Sequence, residues 1–329
     1  MLRFVLKPWV PIGCALIASL GCGAPDGPSQ TMSPTVSFDD ETQVEFSDGS
    51  SIDGDTPKAR MRVATFNVRK FFDTRCDTRA CGGRQYEEQP SQSTFEAKAK
   101  QLALGIDALD ADVVLLQEIE STTCLNALIA NLKSGMYTVS ELAETNKPGS
   151  LDVAILARGE LIKRVSHLDE ALTLRNGQTK SFARDLQEIH IMIEGKMIIA
   201  FNAHFVSKRT DANGAWREAE AEAARTIILE AARKHPKAIV IFGGDLNDTP
   251  ESETLRIIEA SGGFWRVAEE LGLNAGTHRF GEAIEALDHL YLVTRSSGTY
   301  VAGTAAVIRT GDRGLAGSDH AALVAEFEL

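Results

Sequence analysis

The segment AIVIFGGDLNDTP (238–250) runs through five apolar residues, stops at Gly243-Gly244 and delivers Asp245 and Asn247. An all-apolar run of this length suits a buried strand, so the residues that follow it stand at a sheet end, where open sheets keep their sites. On an extended chain Asp245 and Asn247 point the same way, because side chains alternate with period two. A capped turn is the competing reading, since Asp, Asn and Pro are all common in turns.

Similar runs recur: MRVATFNV (61–68), DVVLLQ (112–117), DVAILA (152–157), LQEIHIMI (186–193), KMIIAFNAHF (196–205), LDHLYLV (287–293) and HAALVAEFEL (320–329). Between them, 94–109 and 214–235 carry apolar residues at helical spacing with charges opposite. Only Glu194-Gly195 separates the runs at 186–193 and 196–205, which predicts a hairpin. Hairpins mixed with helical crossovers predict mixed sheets with helices outside, an α/β or α+β sandwich. No linker-like stretch interrupts 60–329, which reads as one domain.

The chain outside that domain has a different character. Arg3 and Lys7 precede an apolar run from Trp9 to Leu20 that ends in Gly21-Cys22, the pattern of an export signal over 1–22. The run is short for a transmembrane helix. A small residue followed by Cys marks Cys22 as a lipidation site of a bacterial lipoprotein, with plain secretion as the alternative. Residues 23–59 are rich in Ser, Thr, Asp, Gly and Pro and read as a solvated acidic tether. The expectation is an exported monomer held at the outer membrane or cell envelope. An oxidising compartment permits disulfides, and Cys76 and Cys81 flank a short DTRA loop, which makes them the expected pair. Cys124 is then free, and no second Cys or His group accompanies these thiols to form a zinc site. A net charge of -12 argues against a broad basic face for nucleic acid, though cations and a few arginines can meet phosphate locally.

Polar residues stand at the ends of the predicted strands: Asn67, Gln117-Glu118, Asn202 and His204, Asp245 and Asn247, Asp288, and Ser318-Asp319-His320. Each has a mundane explanation as a cap, a core histidine or a turn residue, but their joint recurrence on one domain points to a site. Glu118 and Asp319 are hard oxygen donors of the kind Mg²⁺ or Mn²⁺ prefers. HExxH, Walker-type and GxSxG motifs are absent from the sequence, which disfavours zinc protease, nucleotide-motor and serine-esterase chemistry. Metal-assisted hydrolysis also needs a base held in one tautomer, and His320 with Asp288 is the candidate pair.

Taken together, TFNVRKF, ADVVLLQEIE, FARDLQEIHI, NAHFVSK, GGDLNDTP, ALDHLYLV and GSDHAALVAEFEL resemble the motif series of the endonuclease/exonuclease/phosphatase superfamily over about 60–329. That group includes deoxyribonuclease I, abasic-site endonucleases, bacterial sphingomyelinases and inositol polyphosphate phosphatases. The resemblance implies a four-layer αββα sandwich and a Mg²⁺- or Mn²⁺-dependent phosphodiester hydrolase. It implies Glu118 as the principal metal ligand with Asn67 and Asp319 completing or supporting the site, and His320 as the base oriented by Asp288. Asp245 and Asn247 would position the nucleophile and the phosphate, and His204 would contact the phosphate or assist the leaving group. Arg184 and Asn202 are the remaining candidate phosphate contacts. Arg69 stands where abasic endonucleases carry an Asp, and those enzymes lack a histidine at the His204 position, so the chain resembles the deoxyribonuclease I, sphingomyelinase and phosphatase side. The segment from Asp73 to Ser93 has no counterpart in the series. A nuclease is the expected activity, since no hydrophobic rim loop of the lipid-hydrolase kind stands out. The alternatives are a sphingomyelinase-like or inositol-phosphate hydrolase, or an inactive surface-binding lipoprotein.

Overall fold

The computed structural model describes residues 59–329; the expected signal segment, Cys22 and the tether up to residue 58 lie outside the described residues. Seven strands form the first sheet: β1 (Arg60–Phe71), β2 (Val113–Ile119), β3 (Val139–Ala143), β4 (Asp152–Ala157), β15 (Thr299–Tyr300), β16 (Ala306–Ile308) and β17 (Ala322–Glu328), in the order β15-β17-β1-β2-β4-β3 with β16 also on β17. Six form the second: β5 (Glu160–Val165), β8 (Gln187–Ile193), β9 (Lys196–His204), β10 (Ile239–Asp245), β11 (Phe264–Arg266) and β14 (Asp288–Val293), in the order β11-β14-β10-β9-β8-β5. Two short ribbons, β6 (Leu172–Thr173) with β7 (Thr179–Lys180) and β12 (His278–Phe280) with β13 (Ala283–Glu285), stand outside the sheets.

The two sheets share one plan. In each, a parallel central pair is joined by a helical crossover: β1 to β2 through α1 (Gln92–Leu109), and β9 to β10 through α3 (Ala215–Lys234). Antiparallel neighbours flank each pair, β17 and β4 in one sheet, β14 and β8 in the other. The β8–β9 hairpin turns at Glu194-Gly195, both with positive φ (48° and 76°), the conformation a tight two-residue turn requires.

Strand periodicity distributes the core. Met61, Val63, Val113 and Leu115 of the first sheet pack against Ile189, Ile191, Ile198, Ile239 and Ile241 of the second. The alternate residues Ala64, Phe66, Val114 and Leu116 face α1 and α2 (Thr122–Ile129), while Val240, Phe242, Ile199 and Phe201 face α3 and α4 (Glu253–Glu259). Each central strand is therefore buried on both faces, which is why it reads as an unbroken apolar run. Helix α1 buries Phe95, Ala99, Leu102, Ile106 and Leu109 at helical spacing, and Ser91 caps its first turn by accepting the Thr94 N–H. The result is the four-layer αββα sandwich. Cys76 and Cys81 form a disulfide, and Cys124 is free and buried in α2.

Candidate active site

Both parallel pairs end at the same edge of the sandwich, and the polar residues collect there. On β10, Asp245 stands in register with His204 of β9 on one side and Asp288 of β14 on the other. His204 Nε2 lies 3.6 Å from Asp245 Oδ2. From the first sheet, Asn67 Nδ2 donates to Asp245 Oδ2 at 2.9 Å and to Glu118 Oε1 at 3.3 Å. His320, just before β17, sets Nδ1 against Asp288 Oδ2 at 2.8 Å and turns Nε2 toward Asp245 Oδ2 at 3.9 Å.

Local irregularities aim these groups. The β1–β2 ladder shifts register after Asn67, and the β2–β4 ladder shifts between Gln117 and Ile119. Glu118 sits at that bulge with a φ of 68°, which takes its side chain out of the pleat and toward the site. Its Oε2 accepts the Lys70 N–H at 2.6 Å. Gly243 and Gly244 answer a packing requirement: a Cβ at Gly244, whose φ is 140°, would lie 1.9 Å from the Ala203 carbonyl oxygen, and one at Gly243 would crowd His289 O and Leu115 at 2.9 Å. The chain then turns rather than continuing extended. Asn247 has a φ of 53°, its N–H donates to Asp245 Oδ1 at 2.9 Å and its Nδ2 donates to Phe205 O at 2.9 Å. The shared strand face expected for Asp245 and Asn247 is thus replaced by an Asx-type turn at the sheet edge, and the turn and site readings of GGDLNDTP hold together.

Electrostatics separate the two histidines. Burial works against a charge on His320, but Asp288, then Asp245 and Asp319, outweigh it and lift the imidazole to about 10. His204 is fully enclosed; burial, with Arg184 and His320 nearby, holds it well below the ordinary histidine range, and it stays neutral. Burial and the neighbouring Asp288 push Asp245 up to about 7, against the lowering effect of His320, Asn67 and the Asn247 N–H.

Asn202 does not reach the site. Its Nδ2 donates to Leu116 O and Ala154 O, both at 2.9 Å, and its Oδ1 accepts from Gln117 Nε2 at 2.8 Å, so its amide is fully engaged between the sheets. The phosphate contact read for it is corrected on that ground. Arg184 lies beside the cleft, with Nε donating to Leu151 O at 3.2 Å and its charge felt at His204. Asp319 is half-exposed and pairs with Arg69 at 3.2 Å.

Several positioning residues act beside the expected catalytic set, and apart from Ser318 they have no sequence signal. Ser318 Oγ donates to Asn67 O at 2.8 Å and accepts the His320 N–H at 3.0 Å, tying the GSDH turn to β1. Thr277 Oγ1 accepts the Asp288 N–H at 3.1 Å, and the His278 ring lies 4.5 Å from that of His320. Buried Arg217 donates from Nε to Asp248 Oδ2 at 2.9 Å, and His289 Nε2 donates to Asp248 O at 2.9 Å, clamping the loop after Asn247. Arg217 lies on the face of α3 that also buries Glu220, Ala221, Ala224 and Ile228, but its charge makes it read as solvent-facing.

The fold and this gathering of carboxylates, amides and histidines at the common edge of two stacked sheets define a hydrolase fold of the deoxyribonuclease I-like class. The endonuclease/exonuclease/phosphatase family model matches residues 62–269, more than half of the chain, and the chain belongs to that family. Among solved structures it is similar to TDP2 from Caenorhabditis elegans (18% identity, TM-score 0.56, covering 82% of this chain and 75% of that one). It is also similar to D. rerio TDP2 complexed with a single-strand DNA product (15%, 0.53, 82% and 100%) and to an endonuclease/exonuclease/phosphatase from Bacteroides vulgatus (16%, 0.56, 83% and 100%). At these identities the likeness is one of fold. No curated protein matches the sequence.

Enzymes of the family use divalent metals, and the residues present fit one. Among the described residues no cation pairs with Glu118, whose oxygens meet only the uncharged donors Lys70 N–H and Asn67 Nδ2. Glu118 and Asp319 are hard oxygen donors of the kind Mg²⁺ or Mn²⁺ prefers, and would be the ones to hold it. Asn67, expected to complete or support such a site, accepts the Arg69 N–H on Oδ1 at 2.9 Å and turns its NH₂ toward the Asp245 and Glu118 carboxylates.

Proposed function

We propose that this chain is a divalent-metal-dependent phosphodiester hydrolase acting on nucleic acid, with His320 as the general base oriented by Asp288. The observation that carries the reading is the placement of His320 Nε2 and Asp245 Oδ2, 3.9 Å apart at the cleft with Nδ1 anchored on Asp288. A water seated against both atoms is aligned for attack on a phosphorus and can give its proton to Nε2. In this reading neutral His204 and the Asn247 and Arg184 side chains donate hydrogen bonds to phosphoryl oxygens as charge develops there. A cation on Glu118 and Asp319 would supply Lewis-acid polarisation of the phosphate and bring His320 within reach of its neutral form. Nucleic acid is favoured because a structural neighbour holds a single-strand DNA product, an argument by fold analogy.

A specific feature favours a second reading, a lipid phosphodiesterase of the sphingomyelinase kind. The β12–β13 ribbon, bonded to His320 through His278, carries Phe280 79% exposed and Ile284 49% exposed. No such loop stood out in the sequence, and this ribbon supplies two exposed apolar side chains beside the site. Its pattern, HRFGEAIE, is too short to show it in sequence.

We further infer that the chain is exported and membrane-anchored through Cys22. The N-terminal signal pattern and the Cys76–Cys81 disulfide support this. The deciding experiment incubates the purified full chain with plasmid DNA, RNA, sphingomyelin and an inositol phosphate, with Mg²⁺, Mn²⁺ or EDTA. Metal-dependent cleavage of DNA or RNA that is lost in His320→Ala is the expected result. Cleavage of sphingomyelin alone, weakened by Phe280→Ser, establishes the second reading, and inertness toward every substrate leaves a binding protein.

A further inference from the structure

The segment from Asp73 to Ser93, without counterpart in the motif series, folds over a buried acidic cluster that the hydrolytic site does not use. Asp73, Glu120 and Cys124 are all buried, and one oxygen of each carboxylate lies with Cys124 Sγ inside a sphere of contacts no wider than 4.8 Å. Glu120 Oε2 accepts the Asp73 N–H at 2.6 Å, which closes the loop onto the end of β2. Its other oxygen, Oε1, has no hydrogen-bond partner, although the residue is only 6% exposed. Asp73 accepts the Arg75 N–H at 2.7 Å and the Ser121 hydroxyl at 3.0 Å, one bond on each oxygen, so each oxygen keeps a free lone pair.

Charge compensation is missing. Asp77, Glu144 and Asp152 line, with Glu120 and Ser121, an adjoining cavity of about 380 Å³. Among the described residues none of these acids, nor Asp73, has a Lys or Arg within ion-pair distance; Lys147 lines the same cavity without reaching one. Asp77 and Glu144 are exposed, and Asp152 accepts three hydrogen bonds from Thr145 and Ser150, so the uncompensated burial falls on Asp73 and Glu120, where an enclosed oxygen that accepts nothing adds to the cost.

We propose that this cluster binds a divalent cation of the Ca²⁺ type, held by Asp73 and Glu120, which pins the Asp73–Ser93 segment against β2 and α2. The donors are oxygens, and the cavity beside them admits water to complete the six to eight ligands Ca²⁺ takes. Cys124, fully buried, walls the site, and the hard cation is assigned to the two carboxylates because Ca²⁺ takes oxygen ligands. The ion has a consequence for the cleft. The same segment carries Glu88, paired with Lys70 at 3.1 Å, and Tyr86, whose ring faces the Lys70 ammonium at 5.5 Å. Cation binding therefore fixes one wall of the substrate rim from a position outside the hydrolytic site.

The test uses the full chain stripped with EDTA and titrated with CaCl₂, read by calorimetric stoichiometry, by thermal unfolding and by tryptic cleavage after exposed Arg84. In the wild type, Tm rises by about 5 to 10 °C at a hundredfold excess over Kd, and cleavage slows. Glu120→Gln loses one bound ion and that shift, while Glu118→Gln, altered in the hydrolytic site, keeps both. In EDTA, Glu120→Gln melts no lower than the wild type, because the amide removes a buried charge; a purely structural Glu120 would lower Tm with or without Ca²⁺. Asp73→Asn removes the second ligand and gives the same loss of one ion should Glu120→Gln not fold. The inference is overturned if Glu120→Gln or Asp73→Asn binds as many ions as the wild type, or if the site takes Zn²⁺ alone and loses it in Cys124→Ser.

Discussion

Asn67 and Asp245, 178 residues apart and on different sheets, are joined by a 2.9 Å hydrogen bond at the open edge of the sandwich. Through the same NH₂ group Asn67 also reaches Glu118, so one amide holds the carboxylate proposed to take the cation to the one beside His320. The site consequently exists only while the two sheets are stacked. Asn67→Ala removes both bonds and leaves two carboxylates to repel each other. Activity at saturating Mg²⁺ should fall about 10²-fold, the cost of losing one preorganised donor. Steady-state kinetics beside thermal melts check this; a kcat within a factor of three of wild type would show that Asn67 is only a packing residue.

His320 and Asp288 should act as a unit. Removing the imidazole in His320→Ala is expected to lower kcat about 10³-fold with little change in KM. Asp288→Asn leaves the ring without the carboxylate that orients Nδ1, and the double variant should be little worse than His320→Ala alone. Additive losses in the double-mutant comparison would mean that Asp288 works on something other than His320.

The central strands, the β8–β9 hairpin and α1 and α3 were legible because both faces of each inner strand are buried and each outer helix has one apolar side. Edge strands were not: β5 (ELIKRV) is largely solvent-exposed and carries no alternation to detect. The strand-end residues Glu118, His204, Asp245, Asp288 and His320 were visible as polar groups where a buried run stops. Depth along the strand was not visible, and Asn202 shows the consequence. It shares a face of β9 with His204, two residues away, yet lies between the sheets while His204 stands at the edge. Sequence separates the two only through the length of the partner strands. The Arg217–Asp248 clamp was hidden for a different reason: a charged side chain reads as solvated even where helical spacing puts it on the buried face.

That placement makes Asn202 a stability residue. Asn202→Ala takes the amide donors away from the Leu116 and Ala154 carbonyls in the inter-sheet core, where unmet polar groups cost about 1 to 3 kcal/mol each, while Gln117 Nε2 keeps Thr65 Oγ1 and Leu115 O. A loss of about 3 kcal/mol in urea unfolding is expected, with KM for substrate unchanged below the new melting temperature. A raised KM without a stability loss would restore Asn202 as a phosphate contact.

His289 should make the fold acid-sensitive. It pairs with Gly244 across β14 and β10, and its Nε2 donates to Asp248 O, so protonation would place a charge in the dry interior. Burial pushes the imidazole down to about 4 from an ordinary value of 6.5. Between these two values the unfolded chain binds a proton that the folded chain refuses, so stability falls as pH is lowered from about 6.5 to about 4 and changes no further from this group below that. At about 1.4 kcal/mol per pH unit the loss is about 3 kcal/mol. His289→Gln keeps a donor toward Asp248 O and does not titrate. Urea unfolding of both proteins at pH 7.5 and pH 5 isolates the effect, because other titrating groups cancel in the difference. The wild type should lose stability relative to the variant by about 2 kcal/mol at pH 5; parallel losses would mean that His289 accepts its proton in place.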